Sequence, residues 1–457
     1  MSSLGTPERP LRVAIVGSGP SGFYAAEALY KRSIKVNVDM FDRLPVPYGL
    51  VRYGVAPDHP KIKNVIKVYE KFVTDHPDFS FLGNVTVGEN VSIHELKRFY
   101  DAVIIATGAQ TDRKMGIEGE GLAGSHASTD FVGWYNGHPD FQDLHFDFSH
   151  EVAVVIGQGN VAMDVCRILL KSVDELKNTD ITQNALDALA SSKIKEVHCF
   201  GRRGPAQAAF TPVEIREFGE LADCATIINA KYFELNEASQ KELEDPANNV
   251  RKKNFEILKE LAKRDPEGKK KKFVLHFCNS PVEIFGKGRV QQIVFENNQL
   301  TGEPNQQKVR ATGIKNTFDC GLVFRSIGYV GVPVKGLPFQ PNAGVIPNQH
   351  GRVMDAEQIY TGLYAAGWIK RGANGVIGTN KPDSDETVKS LLEDLPHLVG
   401  CAEPSTEVVM SFLKSKEIRV VTFSDWKKID AAEIEHGQKL GKPREKFIRV
   451  AGMLSVL

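Results

Sequence analysis

Two stretches of the chain share one pattern: a short unbroken apolar run, a cluster of glycines, then apolar residues at helical spacing. The first reads "RVAIVGSGPSGFYAAEALYK" from Arg12, and the second "EVAVVIGQGNVAMDVCRIL" from Glu151. Apolar runs of this kind, without polar alternation, predict strands buried on both faces of a parallel sheet. Further strands are predicted by "KVNVDMFD" ending at Asp42, by "FYDAVIIATGA" (Phe99 to Ala109) and by "KEVHCFGRRG" (Lys195 to Gly204). "LVFRSIGYVG" from Leu322 predicts another strand and turn, and "LYAAGWIKRGANGVIGTN" from Leu363 a strand, a glycine-rich turn and a helix start. Helical spacing marks "TPVEIREFGEL" from near Pro212, and "KSVDELKNTDITQNALDALASSK" predicts an extra helix on a crossover. "NNVRKKNFEILKELAKRDPEGKKKKFVLHFC" holds a helix and a lysine run, Lys269 to Lys272. The tail "VVTFSDWKKIDAAEIEHGQKLGKPREKF" predicts a strand and two amphipathic pieces. Strands alternating with helices predict an α/β protein with two Rossmann-type dinucleotide-binding domains.

Composition narrows the class without changing it. The 457 residues are 42% hydrophobic and 25% charged with zero formal net charge, as expected of a globular protein with no global pull toward nucleic acid or anionic membrane. No apolar run reaches the ~18 residues of a membrane span. The start, "MSSLGTPERPLRV", lacks an apolar signal core, so a cytoplasmic location is expected. The six cysteines are scattered with no C-x-x-C. This argues against a redox dithiol, an iron–sulfur or metal ligand set, and a disulfide framework.

The glycine clusters carry the chemistry. Gly17, Gly19 and Gly22 have G-x-G-x-x-G spacing between a strand and a helix, and Asp42 stands twenty residues past Gly22 at the end of the next strand. Such glycines let backbone approach a pyrophosphate at a helix N-terminus, and the acid suits an unphosphorylated ribose. In the second unit Gly157, Gly159 and Ala162 repeat the turn, but the next strand ends in Arg202 and Arg203. A carboxylate there would repel a ribose 2′-phosphate, whereas two guanidiniums would bind it. Two turns of opposite ribose chemistry predict two different dinucleotides, NADPH as hydride donor and FAD as acceptor. The FAD domain is expected over 1–110 and 321–457, with the NADP domain, 111–320, inserted into it.

With "LPVPYGLVRYGVAPDHPKIK" (Leu44 to Lys63), "GRRGPAQAAFT", "AAGWIKRG" and "GVIGTNK", the chain resembles the adrenodoxin-reductase-like family of ferredoxin–NADP⁺ reductases, nearest its actinobacterial members. The resemblance covers almost the whole chain. It implies FAD, NADP(H) and a ferredoxin or similar small iron–sulfur protein as partner. It implies that Ser21, Asp42, Leu50 and Val87 lie around FAD, with Trp368, Gly375, Val376 and Ile377 near the isoalloxazine. On the NADP side it implies Arg113, Gln158, Gly159, Asn160, Val161, Arg202, Arg203 and Glu214, with Gly375 at the nicotinamide. His59 and Glu217 would form an active-site pair. From spacing alone His59 reads as a loop histidine and Glu214 and Glu217 as one solvated helix face; Trp368 could be a core aromatic, but its flanking glycines favour a flavin contact. The lysine run reads either as solvated surface or as a docking face for an acidic partner. An NADPH-dependent flavin monooxygenase, a reductase subunit of a larger complex and a non-catalytic nucleotide scaffold are the rival functions.

Overall fold

All six residues of the strand Leu11–Val16 are buried, because the strand is interior to its sheet. It pairs in parallel with Val36–Phe41 on one side and Ala102–Ile105 on the other. In this computed structural model, which describes residues 4–457, the chain divides into two compact units. One comprises the chain up to Thr111 and again from Gly328 to Leu457; the other is Asp112–Ile327.

The discontinuous unit is built on a seven-stranded sheet. Its order is Asn348–Gln349, Arg352–Asp355, Gln358–Ala365, Ala102–Ile105, Leu11–Val16, Val36–Phe41 and Phe79–Leu82. Two apolar clusters cover its faces. Charged residues inside this core are paired, as desolvation requires. Arg12 donates to Asp39 on the neighbouring strand at 2.6 Å, and Asp39 also accepts from the hydroxyls of Tyr100 (2.6 Å) and Thr406 (2.9 Å).

The inserted unit has a six-stranded parallel sheet ordered Ser125–Ala127, Leu322–Arg325, Val152–Ile156, Glu196–Phe200, Lys271–His276 and Cys224–Ile228. Helices, including Asn160–Leu170 and Asn249–Leu261, bury one face in a large apolar cluster. An antiparallel three-stranded meander, Asn279–Phe285, Gln292–Thr301 and Lys308–Asp319, packs apolar residues against the other face. Each unit thus repeats the strand–glycines–helix start at its sheet centre, and the fold is α/β with two Rossmann-type units.

Some elements differ from expectation, for local reasons. The crossover insertion forms two short helices, Val173–Leu176 and Gln183–Ala190, the first started by a Ser172–Glu175 capping box. The tail makes helices Thr406–Ser415, Phe423–Lys439 and Val450–Leu454. Its expected strand shrinks to a bridge between Val421 and Gly83, because Thr422 with Asp425 caps the next helix immediately. No helix of the described residues is long and apolar enough to cross a membrane.

A histidine pair sits on the meander-covered face of the inserted unit. His198 Nδ1 lies 2.9 Å from His276 Nε2, and the His276 ring stacks on Phe200 at 4.2 Å. Burial, with His198 and Lys231 nearby, pushes the His276 imidazole down to about 3. Between that value and the unfolded value near 6.5, the unfolded chain binds more protons than the folded one, so acid favours unfolding. Stability is therefore expected to fall as pH drops from about 6.5 toward about 3. His276→Phe, which keeps the stack, is expected to flatten that limb of the Tm–pH profile. A profile parallel to that of the wild type would contradict this.

Candidate functional site

The first glycine turn is set by a close backbone approach. Gly17 has φ +110° and its amide donates to the Phe41 carbonyl at 2.8 Å. A Cβ on it would collide with the Ala106 carbonyl. The helix Pro20–Tyr30 then starts from Gly19 with Pro in its first turn, no side-chain cap and no acid there. Its N-terminus is thus left for an anion. Asp42 is turned in on this turn, accepting from Ser18 N at 3.1 Å, Ser18 Oγ at 2.5 Å and Leu44 N at 2.9 Å. Burial pushes its carboxyl above the usual range, against the pull of those hydrogen bonds.

Other expected residues of this unit gather nearby or lie apart. Ser21 is tied to Ser384, whose Oγ donates to the Ser21 carbonyl at 3.0 Å. A Cβ at Gly367, the residue before Trp368, would strike the Ser21 side chain, so the Trp368 turn and the glycine turn are in contact. Trp368 is half-buried and donates through Nε1 to the Asn374 carbonyl at 3.0 Å. Gly375 is exposed, Val376 is 55% exposed and Ile377 is half-buried. Bare apolar surface beside glycine suits a flat apolar ligand. Leu50, half-buried, opens the short helix Leu50–Tyr53. Val87 packs at the edge of the cluster on the opposite sheet face. His59 is half-buried and precedes the helix Pro60–Lys63.

The second turn repeats the first. Gly157 has φ +126°, its amide donates to Phe200 O at 2.9 Å, and its Cβ would meet the Ser326 carbonyl. Gly159 starts the helix Asn160–Leu170, again uncapped and without an early acid. Gln158 Nε2 donates to His276 O at 2.9 Å, Asn160 Oδ1 accepts from Thr211 N at 2.8 Å, and Val161 packs against the helical core. Arg202 and Arg203 are exposed. Their turn is pinned to the meander: Cys278 N donates to Arg203 O (2.9 Å), Asn279 N to Gly201 O (2.9 Å) and Asn298 Nδ2 to Arg202 O (3.0 Å). Among the described residues neither guanidinium pairs with a carboxylate, and nor does exposed Arg113.

Glu214 and Glu217 are not a solvated face. Both reach Arg167, at 3.2 and 3.1 Å, and Asp164 joins them at 2.7 Å. Arg167 is fully buried and Glu214 is 5% exposed. One guanidinium thus gathers three carboxylates at the helix that leaves the glycine turn. Sequence reasoning passed over Arg167, although a charged pair three apart inside "AMDVCRIL" was the available signal. In the lysine run Lys269, Lys270 and Lys272 are exposed and Lys271 is half-buried. Lys271 Nζ, its pKa lowered by burial, donates to Leu170 O at 2.9 Å, and Lys272 pairs with Glu196 at 2.6 Å.

A family described as pyridine nucleotide-disulphide oxidoreductase matches residues 11–198. The NADPH-ferredoxin reductase FprA of Mycobacterium tuberculosis is 44% identical over 98% of this chain and 99% of its own length. The mitochondrial NADPH:adrenodoxin oxidoreductase of Salvelinus fontinalis is 43% identical over 99% of this chain and 92% of its own. The solved structure of FprA in complex with NADPH superposes with a TM-score of 0.91, covering 98% of this chain and 99% of that one. The chain belongs to the NADPH-ferredoxin and adrenodoxin reductase family. In this reductase the residues present fit two dinucleotides. Both turns bring backbone to van der Waals contact, both helices start uncapped, and the two exposed arginines offer an anion site.

The close approach at Gly157 is testable. Gly157→Ala places a Cβ against the Ser326 carbonyl at a φ that disfavours side chains, with strain of about 1–3 kcal/mol or more. The variant is expected to melt lower and lose dinucleotide binding at that turn while ligand at the first turn is retained. Calorimetry and ligand titration read both, and unchanged binding at the second turn would contradict the account.

Proposed function

We propose that this reductase carries electrons between NADPH and a small iron–sulfur protein through bound FAD, with FAD in the discontinuous unit and NADP(H) in the inserted one. The observation that carries the assignment is the contrast at equivalent strand ends. Asp42 faces the first glycine turn, whereas Arg202 and Arg203 stand exposed at the second and, among the described residues, make no ion pair. The relatives' names, NADPH-ferredoxin reductase and NADPH:adrenodoxin oxidoreductase, support the same reading.

Bound FAD would supply an acceptor for the nicotinamide's hydride that can release electrons singly. The chain's own part is placement. Gly17, Gly19, Ser21, Gly22 and Asp42 would seat the FAD pyrophosphate and ribose, Leu50 and Val87 would lie around FAD, and Trp368, Val376 and Ile377 would lie near its isoalloxazine. Gly157, Gln158, Gly159, Asn160 and Val161 cradle the NADP pyrophosphate, and Arg113, Arg202 and Arg203 meet its phosphates. Glu214 is assigned to the NADP side, Gly375 to the nicotinamide, and His59 and Glu217 to the hydride step, on the family match. A ferredoxin is the partner in this reading. All six cysteines are free in the structure, which suits a reducing compartment, taken here as the cytoplasm.

Two measurements test this. Cytochrome c reduction driven by NADPH is expected to rise sharply on adding a ferredoxin, and rates indifferent to ferredoxin would contradict the partner. Arg202→Ala with Arg203→Ala removes two charge-assisted hydrogen bonds, each contributing ~1.5–3 kcal/mol. NADPH is expected to lose on the order of a hundredfold or more in kcat/KM, chiefly through KM, because the contact is remote from the reacting carbon. NADH is expected to lose little. A double variant that keeps its NADPH preference would overturn the assignment of the second turn.

A further inference from the structure

Tyr48 has φ +85°, a region that a bulky residue enters only when its surroundings over-determine it. It precedes Gly49 and Leu50, and its amide donates to the Ser18 carbonyl of the first glycine turn at 3.0 Å. A Cβ on Gly49 would lie 3.1 Å from the Gly19 Cα. A strained dipeptide therefore lies directly against the turn read as holding FAD.

Much of what holds it comes from the C-terminal helix Phe423–Lys439. Trp426 Nε1 donates to the Tyr48 hydroxyl at 3.3 Å, and the two rings meet edge-on at 5.8 Å. Two turns further on, Glu433 is fully buried and accepts from Arg52 at 2.5 Å. Arg52 is 4% exposed, and its guanidinium also lies over the Trp426 ring at 5.1 Å. Glu433 is fixed in turn by Arg444 (3.2 Å) and by the Phe447 amide (3.0 Å). Lys427, on the same helix, pairs with Glu70 at 2.9 Å, and Glu70 lies 3.5 Å from the Tyr48 hydroxyl. A buried ion pair often adds little stability over a well-packed apolar pair, but breaking it strands a charge. What this one adds is geometry: together with the Trp426 contact it fixes the segment Tyr48–Tyr53 at both ends, Tyr48 by Trp426 and Arg52 by Glu433.

We propose that this helix is a brace for the flavin site. Trp426 and Glu433 are positioning residues that press the Tyr48–Tyr53 segment onto the glycine turn and so set where Leu50 meets the flavin. The inference rests on the reading that the discontinuous unit holds FAD.

The test compares wild type, Trp426→Phe, Glu433→Gln and the exposed control Lys428→Ala. Apoprotein is titrated with FAD; the FAD-saturated protein is then measured for its visible flavin spectrum, flavin reduction potential and KM for NADPH. The FAD Kd is expected to rise about tenfold or more in Glu433→Gln, where Arg52 is left without its carboxylate. A rise of about threefold is expected in Trp426→Phe, which keeps a ring but loses the neutral hydrogen bond to Tyr48. Both variants are expected to shift the flavin bands and potential, with KM for NADPH and the control unchanged. Variants that melt lower but keep the wild-type FAD Kd, spectrum and potential would overturn the brace. Should Glu433→Gln fail to fold, Trp426→Phe decides. A wild type that takes up no FAD would fail the parent reading and the brace with it. A wild type that binds FAD alongside indifferent variants would fail the brace alone.

Discussion

The carbonyls of Ala106 and Ser326 occupy the space that a side chain on Gly17 or Gly157 would need. That double backbone approach organises both units. It brings the loop after a neighbouring parallel strand against the turn, so the strand pairs Leu11–Val16 with Ala102–Ile105 and Val152–Ile156 with Leu322–Arg325 must be adjacent. It also aims the following helix so that its uncapped N-terminus faces the end of the sheet. Anion recognition then needs no dedicated side chain at the pyrophosphate.

What distinguishes the units is placed around that shared core. In the discontinuous unit Asp42 accepts two hydrogen bonds from Ser18 and one from the Leu44 amide, which stiffens the turn and offers an acceptor for a ribose hydroxyl. In the inserted unit the equivalent strand end presents two exposed arginines, on a turn whose backbone carbonyls accept hydrogen bonds from the meander and the residue before it. Burial also differs. Beneath the second turn, Arg167 collects Asp164, Glu214 and Glu217, so a dense charge cluster is built into the helix that leaves it. The first turn is instead backed by an aromatic layer of Phe23, Tyr48, Tyr69 and Trp426.

The central strands, both glycine turns, Asp42 and the arginine pair were legible in the sequence, because each rests on a local rule: an apolar run, a positive-φ position or a strand-end charge. The resemblance of "LPVPYGLVRYGVAPDHPKIK" supplied roles that no spacing rule reaches, those of His59, Glu217 and Trp368. What stayed hidden depends on contacts far apart in sequence. Arg52 and Glu433 are 381 positions apart, and neither residue alone marks a buried ion pair. Glu214 and Glu217 looked solvated because their partner Arg167 lies on another helix. The meander was passed over because its strands carry mixed, largely exposed residues, as in Lys308–Asp319. The lysine run reads as surface, and Lys269, Lys270 and Lys272 are exposed; only Lys271 departs from that, held by the end of a helix a hundred residues earlier.

The central claim is that one chain holds two dinucleotides whose reacting ends communicate, with the phosphorylated one at the arginine turn. Anaerobic mixing of the FAD-loaded protein with NADPH or NADH tests it most directly, read as loss of the flavin's yellow absorbance. The account predicts rapid bleaching by one NADPH per chain and much slower bleaching by NADH at the same concentration. Flavin that keeps its colour with NADPH, or that NADH bleaches equally fast, would contradict it.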